Sequence, residues 1–431
     1  MEELNAGDTA FILISAAMVL LMTPGLAFFY GGMTRAKSVL NMMMMSFIAL
    51  AAVPVVWVLW GYSMAFGSEG TGGFFAGFDM LGLSGMTPDS MSGTIPEFAF
   101  SGFQMMFAII TVALISGAVA DRTRFGTWAL FTVLWVTLVY FPVAHNVWGG
   151  GWIAENIGPI DFAGGTAVHI NAGAAALALV IVIGKRIGFN KDPMRPHNLP
   201  FVVLGAALLW FGWFGFNAGS QLAADGVAAA MLLNTTVATG AAILGWLVVE
   251  LIRDKAATTL GAASGAIAGL VAVTPSGASI SPLGAIAIGA LAGVACALAV
   301  GLKYKLGYDD SLDVVGVHMV GGLVGSILIG VFASSTFGGT GGLLEGAGFG
   351  LLGTQTAASL LVLAYSFVVT FALGWILDKT LGFRIPEEDE ITGVDLTTHA
   401  ETAYEFFATG GSGQKKAPAA VGAPVDGKVN A

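Results

Sequence analysis

The most constraining feature of this 431-residue chain is where it lacks charge. Between successive Asp, Glu, Lys and Arg residues it holds ten long runs: 9 to 34, 38 to 68, 98 to 120, 125 to 154, 162 to 184, 196 to 224, 226 to 249, 256 to 302, 314 to 344 and 346 to 377. A helix needs about 20 mostly apolar residues to cross a hydrocarbon core of about 30 Å, so every run can span a bilayer. The run from 256 to 302 would be about 70 Å long as one helix. It is interrupted by Thr274-Pro275-Ser276-Gly277 and by Ser281-Pro282, which predicts two spans joined by a turn. The fold class expected is all-α integral membrane, with eleven transmembrane helices.

Composition excludes several alternatives. The chain is 56% hydrophobic and 10% charged, against roughly 25% charge in an ordinary soluble domain. Twenty-seven acidic residues against 17 basic ones leave no electrostatic footprint for nucleic acid. A single cysteine, Cys296, excludes a disulfide scaffold or a four-thiolate zinc site within one chain. It reads as a small buried filler of the ninth span.

Eleven spans put the termini on opposite sides. With the N-terminus outside, all 17 basic residues fall on the inner side, from Arg35 and Lys37 to the tail lysines Lys415, Lys416 and Lys428. That asymmetry is the positive-inside pattern of a cell-membrane protein, and one missed span would scramble it. Met1-Glu2-Glu3 lacks a basic n-region, so the first span is expected to be retained. The outer segment from about 67 to 97, rich in Gly, Ser and Thr, reads as a lid or loop. Residues 1–386 form the membrane domain. Residues 387–431 read as a cytosolic tail, acidic at first and disordered over its last twenty or so residues.

Spans one to five and six to ten each number five, so two homologous halves would sit inverted, with one extra helix after them. Inverted repeats are common in transporters and place the working site near the midplane. One local trace of a repeat is present: Asp161 precedes His169 by eight residues, and Asp310 precedes His318 by eight. His169 lies 16 residues before Lys185, about 24 Å along a helix, and His318 lies 13 residues after Lys305, about 20 Å. Both imidazoles are therefore expected near mid-membrane, where a lone polar residue usually glues helices but a matched pair points to a solute path.

The absence of Lys and Arg at that depth, and the scarcity of carboxylates, argue against an anion or a metal ion as the solute. A bare cation would meet a desolvation penalty of tens of kcal/mol by the idealised Born estimate. The solute expected is small and neutral, or leaves its proton behind. Two neutral imidazoles suit it, each offering one donor and one acceptor, and as a coupled pair they resist double protonation.

Aromatic residues cluster near the outer ends of the spans, at Phe103 to Phe107, at Trp148 and Trp152, and at Trp210 to Phe216 followed by Ser220. An interfacial belt accounts for most of them. Small neighbours at each cluster also allow a cup that binds a cation through ring faces, worth about 0.5–2 kcal/mol.

Asp161-Phe162-Ala163-Gly164-Gly165-Thr166-Ala167-Val168-His169-Ile170-Asn171-Ala172-Gly173 resembles a signature of the Amt/Mep/Rh ammonium transporter family, in its bacterial Amt branch. Thr23 to Gly32, Trp213 to Ser220 and Asp313 to His318 carry the same resemblance, which runs from the first span to about Tyr404. The resemblance implies an outer ammonium site made by Phe103, Phe107, Trp148 and Ser220, and a stacked gate of Phe107 and Phe216. It also implies central twin histidines, His169 and His318, with Trp213 and Thr274 as lesser pore residues. Asp161 reads as helix-capping and electrostatic support rather than a ligand. The implied mechanism recruits NH4+, or its analogue methylammonium, removes a proton near the gate, conducts NH3 and reprotonates it in the cytosol. Homotrimers and a PII-type signal protein at the cytosolic face are also implied, with membrane lipids as surroundings and no cofactor or metal. His145, His197 and His399 receive no role.

Two rival classes remain for such a chain. An ammonium sensor would be favoured by a fused signalling domain, and the 45 residues after Pro386 are too few for one. An intramembrane enzyme using Asp161 and His169 is disfavoured, because eight helical residues separate them by about 12 Å with no nucleophile between.

Overall fold

The computed structural model describes residues 3–68 and 70–404. The expected disorder of the last twenty residues, with Lys415, Lys416 and Lys428, lies outside the described residues. Ten described helices are long and apolar enough to cross a membrane. They are α1 (Ala6–Met33), α2 (Val39–Phe66), α3 (Glu97–Val119), α4 (Phe125–Asn156, turning at 148–151), α5 (Gly165–Ile183), α6 (Leu199–Gly219) and α7 (Gly226–Arg253), then, after the shorter α8 (Thr259–Val273), α9 (Pro282–Leu306), α10 (Val315–Phe332) and α11 (Gly350–Thr380).

The long run from 256 to 302 divides as its prolines and glycines predict. Helix α8 ends at Val273, and α9 begins at Pro282 with Ser281 capping the Gly284 N–H. Helix α8 has 15 residues, about 22 Å, and every residue from Ala263 to Val273 is buried. It is an inner element rather than part of the lipid surface. The outer faces of α7, α9 and α11 present Ile252, Leu283 and Val368, each more than half exposed. Water would penalise so much exposed hydrocarbon, whereas lipid does not.

Helices α5 and α10 depart from the regular pattern in the same way. Each starts with a π-helical turn, Gly165–Ile170 and Val315–Met319, that carries a histidine one turn inside the helix. The N–H groups left open there are taken by an upstream carboxylate. Asp161 accepts from Gly164, Gly165, Thr166 and Ala167, and Asp310 accepts from Val314 and Val315. The depth expected from the lysine count assumed continuous helix between Lys305 and His318. The chain is instead non-helical from Gly307 to Asp313, because Asp310 starts a new helix there. Both histidines are thus placed by buried helix starts.

One end of the bundle gathers the loops after α1, α3, α5 and α9 and the segment after α11. Arg35 and Arg186 both pair with Asp121, at 3.1 and 3.2 Å, and Arg186 grips Asp309 at 2.8 Å. Burial pushes the Asp309 carboxyl up, but the Arg186 hydrogen bonds and the charges of Arg122 and Arg186 outweigh it and hold Asp309 below the usual carboxylate value. Burial lowers the Arg122 guanidinium to about 10, against the opposing pull of Asp309.

Residues 382–404, of which 387 onward were expected as part of a cytosolic tail, dock on this end. Ile385 N–H donates to Arg122 O, the buried Glu390 pairs with Arg384 at 2.7 Å, and Asp395 accepts from Leu40 and Asn41 at the start of α2. The opposite end carries the hairpin Met91–Ser92 with Ile95–Pro96 and the segment before it, which lies over the end of α4.

Candidate functional site

The Asp161 cap sets the geometry of the site. Besides the backbone donors, its carboxylate accepts the Thr166 hydroxyl, and its main-chain oxygen accepts the Trp148 indole N–H at 2.8 Å. One residue therefore fixes both the start of α5, with His169, and the aromatic wall at the end of α4. Its carboxylate oxygens are occupied by donors within the protein, as suits a supporting role.

The five residues expected at the outer site and gate form a connected group. Phe103 meets Phe107 edge-on with ring centroids 4.9 Å apart, and Phe107 meets Trp148 at 6.0 Å and nearly perpendicular. Phe107 stacks on Phe216 at 4.2 Å and 30°, and both rings are buried. Ser220, four residues beyond Phe216, donates its hydroxyl to Phe216 O at 2.8 Å. Its proton is thereby committed inward, and its oxygen lone pairs remain acceptors.

Beyond the stacked pair lie the histidines. His169 is 6.1 Å from Phe216 and 5.5 Å from Trp213, in near-parallel planes. Its Nδ1 is 3.3 Å from the Nδ1 of His318. Two neutral rings can hold that contact only if one Nδ1 carries a proton and the other does not, so one Nε2 is then an acceptor and the other a donor. The buried His169 Nε2 has no protein partner. A small cavity touching His318 is lined mostly by apolar side chains, Phe29, Tyr30, Met33, Ile267, Leu312 and Val317, together with Ser264 and Asp313.

Close helix approach makes the ring contact possible. A Cβ on Gly173 would lie 2.7 Å from Met319 Cα, and one on Gly322 would lie 3.2 Å from His169 Cβ. Each glycine follows its own histidine by four residues and faces the other histidine's helix. Trp213 and Thr274 are joined by an indole hydrogen bond of 2.9 Å, and Thr274 also meets Asn217 at 3.1 Å, which in turn donates to Thr235. Asn217, Thr166, Gly173 and Gly322 were not singled out by sequence reasoning. The glycine spacing after each histidine was the one readable signal for the last two.

Comparison with known proteins agrees with these motifs. The Ammonium Transporter Family model matches residues 10–404. A protein of Mycobacterium tuberculosis named ammonium transporter is 56% identical over 439 aligned residues, covering 95% of this chain and 92% of its own. The solved structure of Saccharomyces cerevisiae Mep2 superimposes with a TM-score of 0.83 at 33% identity, covering 90% of this chain and 89% of its own. A structure titled Sensor Amt Protein gives 0.84 at 28% identity, covering 91% and 98%. Ten apolar helices together with these matches describe a multi-pass membrane protein. On the extent of the family match and on these identities, the chain belongs to the ammonium transporter family.

Proposed function

We propose that the chain moves ammonium inward through a pore of its own. NH4+ is recruited at Phe103, Phe107, Trp148 and Ser220, loses a proton near the Phe107 and Phe216 gate, and passes His169 and His318 as NH3 to be reprotonated in the cytosol. The observation that carries this reading is the buried 3.3 Å contact between the two imidazoles, directly behind the stacked rings. Ring faces and the Ser220 oxygen suit a small cation with protons to donate. The apolar surroundings beyond them favour a neutral species. K+, with no proton to shed, meets the whole desolvation cost.

The same reading places the protein in the cell membrane with eleven crossings, α8 included, as two inverted five-helix halves followed by α11. The N-terminus lies outside and the tail in the cytosol. Support comes from the contacts among the loops after α1, α3, α5 and α9, and from the location of every described Lys and Arg in loops of that side or at the helix ends beside them. The matched Asp-x7-His helix starts support the two halves. A homotrimer with three pores and a PII-type protein at the cytosolic face complete the proposal, and both rest on the family resemblance. Nothing specific in the site favours the sensor reading over transport.

Uptake of methylammonium into vesicles holding the purified protein, measured with and without a membrane potential, tests the reading and reports the charge carried. The double variant His169→Ala with His318→Ala is expected to lose flux or selectivity against K+. Unchanged flux and unchanged selectivity would remove the histidines from the mechanism.

A further inference from the structure

We infer that His145 is a positioning residue that sets the affinity of the outer site through Trp148. This rests on the proposed role of Trp148 in that site. His145 lies one helical turn before Trp148 and is wholly buried. Its Nε2 is 3.3 Å from the carbonyl oxygen of Gly70. A carbonyl only accepts, so the neutral ring making this bond carries its proton on Nε2, leaving Nδ1 as a buried acceptor without a protein partner.

The chain wraps this ring. Gly149 and Gly151 both donate to His145 O at 2.9 Å. A Cβ on Gly149 would lie 3.1 Å from the imidazole Nδ1, and one on Gly151 would lie 2.9 Å from its Cδ2. Gly150 between them has φ of +77°, a conformation that favours glycine. The imidazole is one wall of this glycine turn; Ala65 O crowds Gly149 more closely, and Asn146 Cα stands 2.7 Å from a Cβ on Gly151.

The segment after α2 closes over the turn. Gly72 N–H donates to Gly150 O at 2.7 Å, Trp152 N–H to Gly73 O at 2.9 Å and Asn146 Nδ2 to Phe74 O at 2.8 Å. Phe74 stacks on Trp152 with centroids 5.0 Å apart. His145 joins the two layers, since it bonds the outer segment through its ring and the glycine turn through its carbonyl. Trp148 leaves that turn to reach Asp161 O and Phe107. Its indole is therefore held from below by the α5 cap and from behind by the strapped turn. Loosening the strap changes where the indole stands, and with it the Phe107 edge that the indole meets, while neither histidine bonds the strap.

The test measures methylammonium uptake by reconstituted vesicles over a concentration series. His145→Leu keeps the volume and removes the donor. It is expected to raise KM by about two- to tenfold, the range a single hydrogen bond confers, with the maximal rate within about twofold. His145→Gln, whose amide nitrogen can reach the Gly70 oxygen, should stay near the unmodified protein. Phe74→Ala, at a half-exposed ring, should shift KM in the same direction without threatening the fold. In a Trp148→Ala background, His145→Leu should add nothing further.

An unchanged KM in His145→Leu and Phe74→Ala overturns the inference. So does a loss confined to the maximal rate, or an equal KM effect of His145→Leu with and without Trp148. A KM that does not respond to Trp148→Ala itself sinks the aromatic-site reading and this inference together. A response to Trp148→Ala alone sinks only the role of His145.

Discussion

Replacing Asp161 is the most severe single test of how the site is built. In Asp161→Ala, the N–H groups of Gly164, Gly165, Thr166 and Ala167 and the Thr166 hydroxyl lose their acceptor. The position is nearly buried, so water cannot replace all of them without opening the structure. An orphaned buried donor costs about 1–3 kcal/mol. Five at the low end give about 5 kcal/mol, comparable to the whole stability of many domains. Asp161→Asn keeps the shape and one acceptor oxygen but turns an NH2 toward backbone donors, so it should fall between Ala and the unmodified protein. Thermal melting of the solubilised protein and methylammonium uptake in vesicles read the two consequences. The expected order of both is unmodified, then Asn, then Ala, with uptake abolished in Ala because the π turn carrying His169 loses its anchor. An Asp161→Ala protein that melts within about 1 kcal/mol equivalent of the unmodified one and still transports would refute the capping argument.

Two further outcomes follow from packing and charge. Gly173→Val drives a side chain into the Met319 backbone, so it should cost about 1–3 kcal/mol by overpacking and reduce uptake by parting the histidines; Gly102→Ala, where a Cβ meets nothing within 4 Å, is the control expected to change neither. Asp309→Asn removes the carboxylate that Arg186 grips and leaves the buried Arg186 with Asp121 as its one acidic partner among the described residues, a loss of up to about 3–5 kcal/mol. Because the folded Asp309 carboxyl is held below its ordinary value, its contribution is complete above about pH 4 and disappears as pH falls through the depressed value. Melting temperature measured from pH 7 down to pH 3 should therefore fall at the acid end, and less steeply in Asp309→Asn.

Much of the architecture is legible because a bilayer imposes a length on every crossing and forbids stray charge. The break at Pro275 and Pro282 is readable for the same reason, since no single helix of that length fits. The family motif named the aromatic residues and both histidines. The details that bring them together are set by contacts across the chain, and they were harder to read. A π turn has no distinct composition, so the true starts of α5 and α10 were hidden. The continuous helix assumed between Lys305 and His318 is broken, since residues 307–313, which look like part of an apolar run's flank, in fact form a capped entry. Glu390 and Asp395 read as solvated charges, yet their partners Arg384, Ile187, Leu40 and Asn41 bury them. Asn217 and Thr235 look like ordinary small polar residues until Thr274 is placed beside them.

The single proton between His169 and His318 gives the pair a direction. Suppose a proton arrives at the acceptor end of one ring, the bridging proton shifts across, and another leaves from the far ring. Each imidazole then ends in the opposite tautomer, and the lone pair and the N–H have exchanged ends. A second proton cannot follow along the same route until both rings turn over or the shuttle runs backward, and the packed Trp213 and Phe216 faces oppose such turning. A neutral molecule slipping past leaves the tautomers as they were. On the proposed pathway, repeated charge movement would be tied to a reorientation clock, whereas passage of ammonia would not.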